Sequence, residues 1–248
     1  MNIFISTVER PNKSPYLERC IESIRQDYDG EIHLIVGGEH HEYTDKYTVD
    51  QGFIRHILYP GEQFYENNKQ KAALGYYTAL IHDPTTPALI FEDDAVLEKD
   101  WYTKLQKLLT FIPDEKFILS LITPGKGTVP EPNSTVPSVQ RYNYQAYLNY
   151  DAPGQLPTST IVTYCNTTGV YYPPSMLKTR LNEFIKRFAV HGDAVYDIVL
   201  GQYMFRYDLP IYIAVPNLLK GVDTSDSSLG SEKRPATVDY SDWDYKKQ

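Results

Sequence analysis

The sequence predicts an α/β protein built on a doubly wound, mostly parallel sheet, and three observations carry that prediction. Short apolar β-rich runs recur through the chain, amphipathic helical stretches separate most of them, and glycine or proline stops several of the runs. The 248 residues allow one sizeable domain with a core that needs no disulfides.

Ile3-Phe4-Ile5-Ser6-Thr7 is the first strand, and it runs into the loop Val8-Glu9-Arg10-Pro11. Ser14-Pro15 supplies an N-cap and a first-turn proline, after which Leu17, Cys20, Ile21 and Ile24 recur at helical spacing. Ile32 to Val36 and Phe53 to Leu58 are strands ended by Gly37-Gly38 and Pro60-Gly61. A second helix spans Asn67 to about Ile81, with Ala73, Leu74, Tyr77, Leu80 and Ile81 on one face, and Ala88 to Phe91 is the next strand. Lys99 to Phe111 is helical and Phe117 to Ile122 is again a strand.

Residues 123–159 are rich in Pro, Gly, Asn, Ser and Tyr without clear periodicity and read as loops or irregular strands, an insertion or lid. Ile161 to Tyr172 reads as one strand, Ser175 to Phe188 and Ala194 to Phe205 as helices, and Ile211 to Val215 as the last strand. The expected organisation is a single domain over 1–230, divided at residue 122 into two halves (1–122 and 123–230), with an extended tail over 231–248.

A net charge of −8 argues against a surface that attracts nucleic acid or anionic membrane on average, while leaving room for a local basic groove. Lys178, Arg180, Lys186 and Arg187 form such a patch on the helix expected over 175–188. No stretch approaches the roughly 18–20 apolar residues of a membrane span, and the start lacks the pattern of a signal peptide, so the expected setting is cytoplasmic. In that setting Cys20 and Cys165 are expected as free thiols. The 22 tyrosines suit stacking on sugars or bases, but most belong to packing.

In an open parallel sheet, ligands bind beyond the carboxyl ends of the strands. Three polar groups fall there: Thr7, Glu9 and Arg10 after the first strand; Gly37, Gly38 and Glu39 after the second; Glu92, Asp93 and Asp94 after the fourth. Three adjacent carboxylates repel one another, and a divalent cation such as Mn²⁺ or Mg²⁺ would relieve that repulsion. Strand alternation puts Glu92 and Asp94 on one side and Asp93 on the other, making Glu92 and Asp94 the expected metal pair. A solvated strand end or a helix cap is the competing reading of such a run.

Thr7-Val8-Glu9-Arg10 with Tyr16-Leu17-Glu18-Arg19-Cys20-Ile21-Glu22-Ser23-Ile24 resembles the first strand and helix of GT-A fold glycosyltransferases. Leu89-Ile90-Phe91-Glu92-Asp93-Asp94-Ala95 is similar to their acidic metal motif. The resemblance covers residues 2–122 and continues more loosely in Gly169 to Pro174 and Pro216 to Asp223. It implies a nucleotide-sugar donor, a UDP-sugar by default, with Thr7, Glu9 and Arg10 on the base and ribose side and with Gly38, Glu39 and Asp93 also among the donor-binding residues. It further implies that Asn68 and Lys71 approach the sugar or phosphates. Relatives carry a histidine near Lys220 or Gly221 that completes the metal shell; here there is none, which leaves Asp223 or Asp226 as substitutes, or Lys220 touching the diphosphate.

Asp193 and Asp197 stand four apart at an expected helix start, where the resemblance places an acceptor-side acid. Asp193 is the candidate base, with N-capping as its alternative role. The expected acceptor is a glycan hydroxyl or, alternatively, a hydroxymethylated base in DNA. Nucleotidyl transfer and a non-catalytic carbohydrate-binding module are the competing functions. The first usually needs a glycine-rich phosphate loop, which Thr7-Val8-Glu9-Arg10-Pro11 lacks. Oligomeric state is not legible.

Overall fold

The computed structural model describes residues 1–8, 15–37, 41–58, 68–124, 129–144, 146–149, 159–162, 164, 166–192 and 194–220. The chain runs through β1 (Asn2–Val8), α1 (Tyr16–Arg25), β2 (Ile32–Gly37), β3 (Phe53–Ile57), α2 (Asn68–His82), β4 (Ala88–Glu92), α3 (Trp101–Leu109) and β5 (Ile118–Ser120). It continues through β6 (Ser138–Arg141), β7 (Ala146–Asn149), β8 (Ser159–Val162), β9 (Gly169–Tyr172), α4 (Pro174–Leu177), α5 (Leu181–Ile185), α6 (Tyr196–Arg206) and β10 (Ile211–Val215). Eight strands form one sheet in the order β3-β2-β1-β4-β9-β5-β10-β6, and β7 pairs with β8 apart from it. Within the large sheet only β9 and β6 run antiparallel to their neighbours.

Side-chain alternation along β1 sorts the helices onto the two faces. Ile3 and Ile5 join the core under α1 and α3, with Cys20, Ile24, Trp101 and Leu105. Phe4 joins the core under α2 and α4–α6, with Ala73, Tyr76, Phe184 and Tyr203. Gly75 lets α2 press onto β1, since a Cβ there would stand 2.7 Å from Ser6 Oγ. α3 is tied to the loop after α1, where Asp27 Oδ2 accepts from the amides of Tyr102 and Thr103 at 2.7 and 3.2 Å. This carboxylate satisfies donors that the helix itself leaves open and complements its dipole.

The structure departs from the sequence reading at five places. α1 has Pro15 as its N-cap residue, so the proline stands one position earlier than expected. The strand expected over 161–172 is two strands, β8 and β9, in different sheets. The helix expected over 175–188 is α4, α5 and a wide π-type turn over Lys186–Val190. Thr179 breaks it: its hydroxyl donates to the Met176 carbonyl at 2.7 Å and accepts from the Leu181 amide at 3.3 Å, replacing helical bonds. Lys178, Arg180, Lys186 and Arg187 therefore do not line one helix, and Arg180 is paired with Glu183 at 3.0 Å.

Fourth, α6 starts at Tyr196 after the extended residue Val195. Val195 takes the N-cap position and Asp197 is the second residue of the helix, while Asp193 lies outside the described residues. Fifth, residues 123–159, read as a largely irregular insertion, supply β6 on the sheet edge, paired with β10 from Tyr212↔Arg141 to Val215↔Ser138.

Candidate functional site

The order β3-β2-β1-β4 means that the chain leaves β1 toward one edge and returns to the opposite flank of β1 as β4. β1 and β4 are thus adjacent parallel strands on either side of a topological switch point, where an open sheet has its crevice. Thr7 lies near the carboxyl end of β1 and Glu92-Asp93-Asp94 at that of β4.

These groups are joined directly. Thr7 Oγ1 donates to Asp93 Oδ2 at 2.9 Å, and both residues are buried. Tyr43, in a single helical turn after β2, brings its hydroxyl to 3.1 Å from Thr7 Oγ1. The ends of β1 and β4 and the segment after β2 therefore form one polar floor.

Strand geometry ends at Glu92. Asp93 and Asp94 form a turn closed by the Ala95 amide on the Glu92 carbonyl at 3.1 Å, so alternation does not extend across the run. Glu92 belongs to the α2/α6 side, where its Oε1 accepts from Thr167 Oγ1 at 2.8 Å and from Tyr196 hydroxyl at 2.5 Å. Asp93 turns instead to Thr7. Asp94 is half-buried, with Oδ1 shielded from solvent.

Cys20 of α1 lies under the turn, its Sγ 3.8 Å from the Glu92 carbonyl. It is a free, buried thiol, pushed well up first by burial and then by the charges of Asp93 and Asp94. Burial, reinforced by the Glu92 carboxylate, also pushes Tyr196 well up. Tyr196 stays protonated and is a fixed donor to Glu92. Its ring lies tilted against that of Tyr76, centroids 4.8 Å apart, and the Tyr76 hydroxyl meets that of Tyr172, so a tyrosine cluster backs the carboxylate's donor.

β9 and the segment after β10 complete the walls. The Glu92 amide donates to the Thr168 carbonyl at 3.1 Å, which sets Thr167 beside the carboxylate. Leu218 to Lys220 runs along Val96 to Glu98 through the Glu98 amide on Leu218 carbonyl at 2.9 Å and the Lys220 amide on Val96 carbonyl at 2.8 Å. Gly169 permits this packing, because a Cβ there would lie 2.7 Å from Leu219 Cδ1. Lys220 Nζ stands 4.0 Å from Glu98 Oε2.

Of the residues singled out in the sequence, the structure brings together Thr7, Glu92, Asp93 and Asp94. Asp197, second residue of α6, follows Tyr196, the donor to Glu92; its charge reaches Tyr196 and Tyr164, and its Oδ1 accepts from the Ile198 amide at 2.7 Å. Lys71 is half-exposed in the first turn of α2, and the neighbouring Gln70 Nε2 donates to the Gly192 carbonyl at 3.1 Å. Asn68 starts that helix, its side chain outside the described set. Glu9, Arg10, Gly38, Glu39, Asp193, Asp223 and Asp226 lie outside the described residues. Tyr43, Thr167 and Tyr196 were missed in the sequence. Only Tyr196 had a local signal, its place next to Asp197.

The donor set can be weighed against a metal. Carboxylate oxygens suit Mg²⁺ or Mn²⁺ rather than a soft metal. Among the described residues no three carboxylates converge; one Glu92 oxygen accepts two hydrogen bonds and Asp93 is committed to Thr7. Such a donor set suits at most an ion held by one or two carboxylates and completed by water and phosphate.

No protein-family model matches the sequence, and no curated protein matches it either. Solved structures do. A putative glucose-1-phosphate thymidylyltransferase from Bacillus anthracis, in complex with a sucrose, matches with a TM-score of 0.50 at 11% identity, over 86% of this chain and 86% of that one. S. aureus TarS 1-349 in complex with UDP matches with a TM-score of 0.51 at 11% identity, over 91% of this chain. Without UDP, TarS 1-349 gives 0.51 at 12% identity over 88%. The chain spans 62% and 59% of those two TarS structures. At such identities the likeness concerns the fold: this chain has a GT-A-like α/β fold, its acidic run at the switch point of the sheet.

Proposed function

We propose that the chain is a glycosyltransferase that takes a sugar from a nucleoside-diphosphate sugar, a UDP-sugar by default, and passes it to an acceptor hydroxyl. The observation that carries this reading is the Thr7–Asp93 bond, which fixes the acidic run of β4 against the end of β1 at the switch point. The UDP complex of TarS, a structure of the same fold, supports the choice of nucleotide.

In this reading Tyr43 and Thr7 border the nucleoside, with Glu9, Arg10, Gly38 and Glu39 following in the chain. Asn68 and Lys71 in the first turn of α2 approach the sugar or phosphates. Asp94 and Glu92 would hold Mn²⁺ or Mg²⁺, with Asp223 as a further candidate ligand. A bound ion would neutralise charge on the departing diphosphate. The acceptor oxygen attacks the anomeric carbon while the bond from that carbon to the diphosphate oxygen breaks, and the hydroxyl proton passes to a carboxylate. Asp197 is the described candidate for that base, and Asp193 is the other. Thr167 and Tyr196 hold Glu92 in one orientation, which favours catalysis by lowering the reorganisation required. Lys220 lies along the same wall and is the candidate diphosphate contact.

The acceptor is a glycan or, second, a hydroxymethylated base in DNA. Lys178 and Arg180 lie between α4 and α5, and Lys186 and Arg187 in the turn after α5, so the single basic helix that favoured DNA is not formed. The thymidylyltransferase of the same fold favours nucleotidyl transfer as a second reading, against which stands the absence of a glycine-rich run after β1. Mass-spectrometric screening of nucleotide-sugar donors with glycan and DNA acceptors separates these functions. Release of a nucleoside diphosphate with sugar transfer supports glycosyl transfer; pyrophosphate release from a nucleoside triphosphate and a sugar phosphate overturns it.

A further inference from the structure

On the α2 face of the sheet, three histidines from separate elements meet. His33 of β2, His56 of β3 and His82, the last residue of α2, each offer a ring nitrogen within 4.8 Å of the other two. His33 Nδ1 is 3.0 Å from His56 Nε2. The rings of His33 and His82 are centred 4.7 Å apart, and both pack against Phe4. The site is remote from the acidic run. Phe4 precedes Thr7 by three residues on β1, roughly 10 Å by strand rise, and faces the other way.

We propose that His33, His56 and His82 form a binding site for a borderline-soft divalent transition metal, zinc in the first instance, that ties β2, β3 and the end of α2 together. Three features support it. An all-imidazole set selects zinc, nickel or copper over magnesium, calcium or manganese. Zinc–nitrogen bonds of about 2.0–2.1 Å in a tetrahedron set ligand nitrogens about 3.3 Å apart, close to the His33–His56 separation. His82 is exposed, so a side-chain rotation closes the remaining gap and leaves a fourth position open to water.

The second layer is also present. With His33 Nδ1 turned to the site, its Nε2 faces Glu31 Oε1 at 3.2 Å, the carboxylate–histidine arrangement that fixes tautomer and ring orientation in metal sites. Burial, with His82 and His56 beside it, pushes His33 down to about 4, so its lone pair is available at neutral pH. In the tautomer that turns the His33 Nε2–H to Glu31, the His56 Nε2–H donates to His33 Nδ1; on metal binding His56 would take its other tautomer, with its proton on Nδ1, so that Nε2 offers a lone pair.

The test is zinc uptake by the full chain, stripped with a chelator and dialysed against zinc, read as bound equivalents and as the visible absorption of Co²⁺ in its place. Wild type and Asp94→Asn are expected to take up one equivalent and to give the tetrahedral cobalt spectrum. Zinc at 100-fold over its Kd is expected to raise the Tm by roughly 5–10 °C. His82→Gln, exposed and hence benign to folding, and His56→Gln are expected to lose that equivalent, the spectrum and the Tm shift. Glu31→Gln is expected to weaken uptake about 10–100-fold. Absence of uptake by wild type, or equal uptake by His82→Gln and His56→Gln, overturns the proposal. Uptake lost only in Asp94→Asn also overturns it, by placing the zinc at the acidic run.

Discussion

Replacing Tyr196 by Phe removes one oxygen and leaves the ring in place against Tyr76. What is lost is the 2.5 Å bond to Glu92 Oε1. A hydrogen bond to a charged group contributes about 1.5–3 kcal/mol. Thr167 continues to donate to the same oxygen and Glu92 is only half-buried, so the lower end applies, about 1.5 kcal/mol. For a chain of this size that lowers Tm by roughly 3–6 °C. Denaturant unfolding at pH 7 of wild type, Tyr196→Phe, Glu92→Gln and the double variant measures the coupling. The account expects about 1 kcal/mol or more of non-additivity. Additivity to within about 0.5 kcal/mol would mean that the two groups do not interact energetically.

Thr7→Val keeps the shape but leaves Asp93 Oδ2 without its Thr7 donor in a buried setting, so a loss of about 1.5–3 kcal/mol is expected by chemical denaturation; a change below about 0.5 kcal/mol would contradict the bond's role. Asp94→Asn is expected to lower turnover at least about 100-fold, corresponding to loss of several kcal/mol of transition-state stabilisation, with Tm almost unchanged; normal activity refutes the assignment. Tyr164 and Tyr172 are fully buried and burial raises both above the ordinary value of 10.0. The unfolded chain therefore loses these protons first, so stability holds below pH 10 and falls above it. Each group contributes about 1.4 kcal/mol per pH unit until its folded pKa is passed. A flat stability profile from pH 9.5 to 11 would count against that burial.

The alternation of strands and helices was readable because each carries its own period. Ile3, Phe4 and Ile5 mark a strand buried on both faces, and Leu17, Cys20, Ile21 and Ile24 mark a helix buried on one. Connections set by side-chain competition were not readable: nothing in the apolar pattern of 175–188 says that Thr179 takes over the Met176 carbonyl. At the site, the acidic run announced itself by charge density in an apolar frame. Its internal division did not, because that depends on where the backbone leaves the strand. Glu92 still points as a strand residue does, whereas the turn sends Asp93 back to Thr7, 86 residues away. Thr167 and Tyr196 reach Glu92 from 75 and 104 residues away, and His33, His56 and His82 meet only once α2 has folded over β2 and β3. Such contacts are products of topology and have no local periodicity to betray them.

The central claim is that the crevice between β1 and β4 binds a nucleoside diphosphate. Calorimetric titration of UDP into the full chain, with and without Mn²⁺, tests it most directly. The account predicts one site whose affinity rises with Mn²⁺, and loss of that metal dependence in Asp94→Asn. No UDP binding by the wild-type chain under either condition would contradict it.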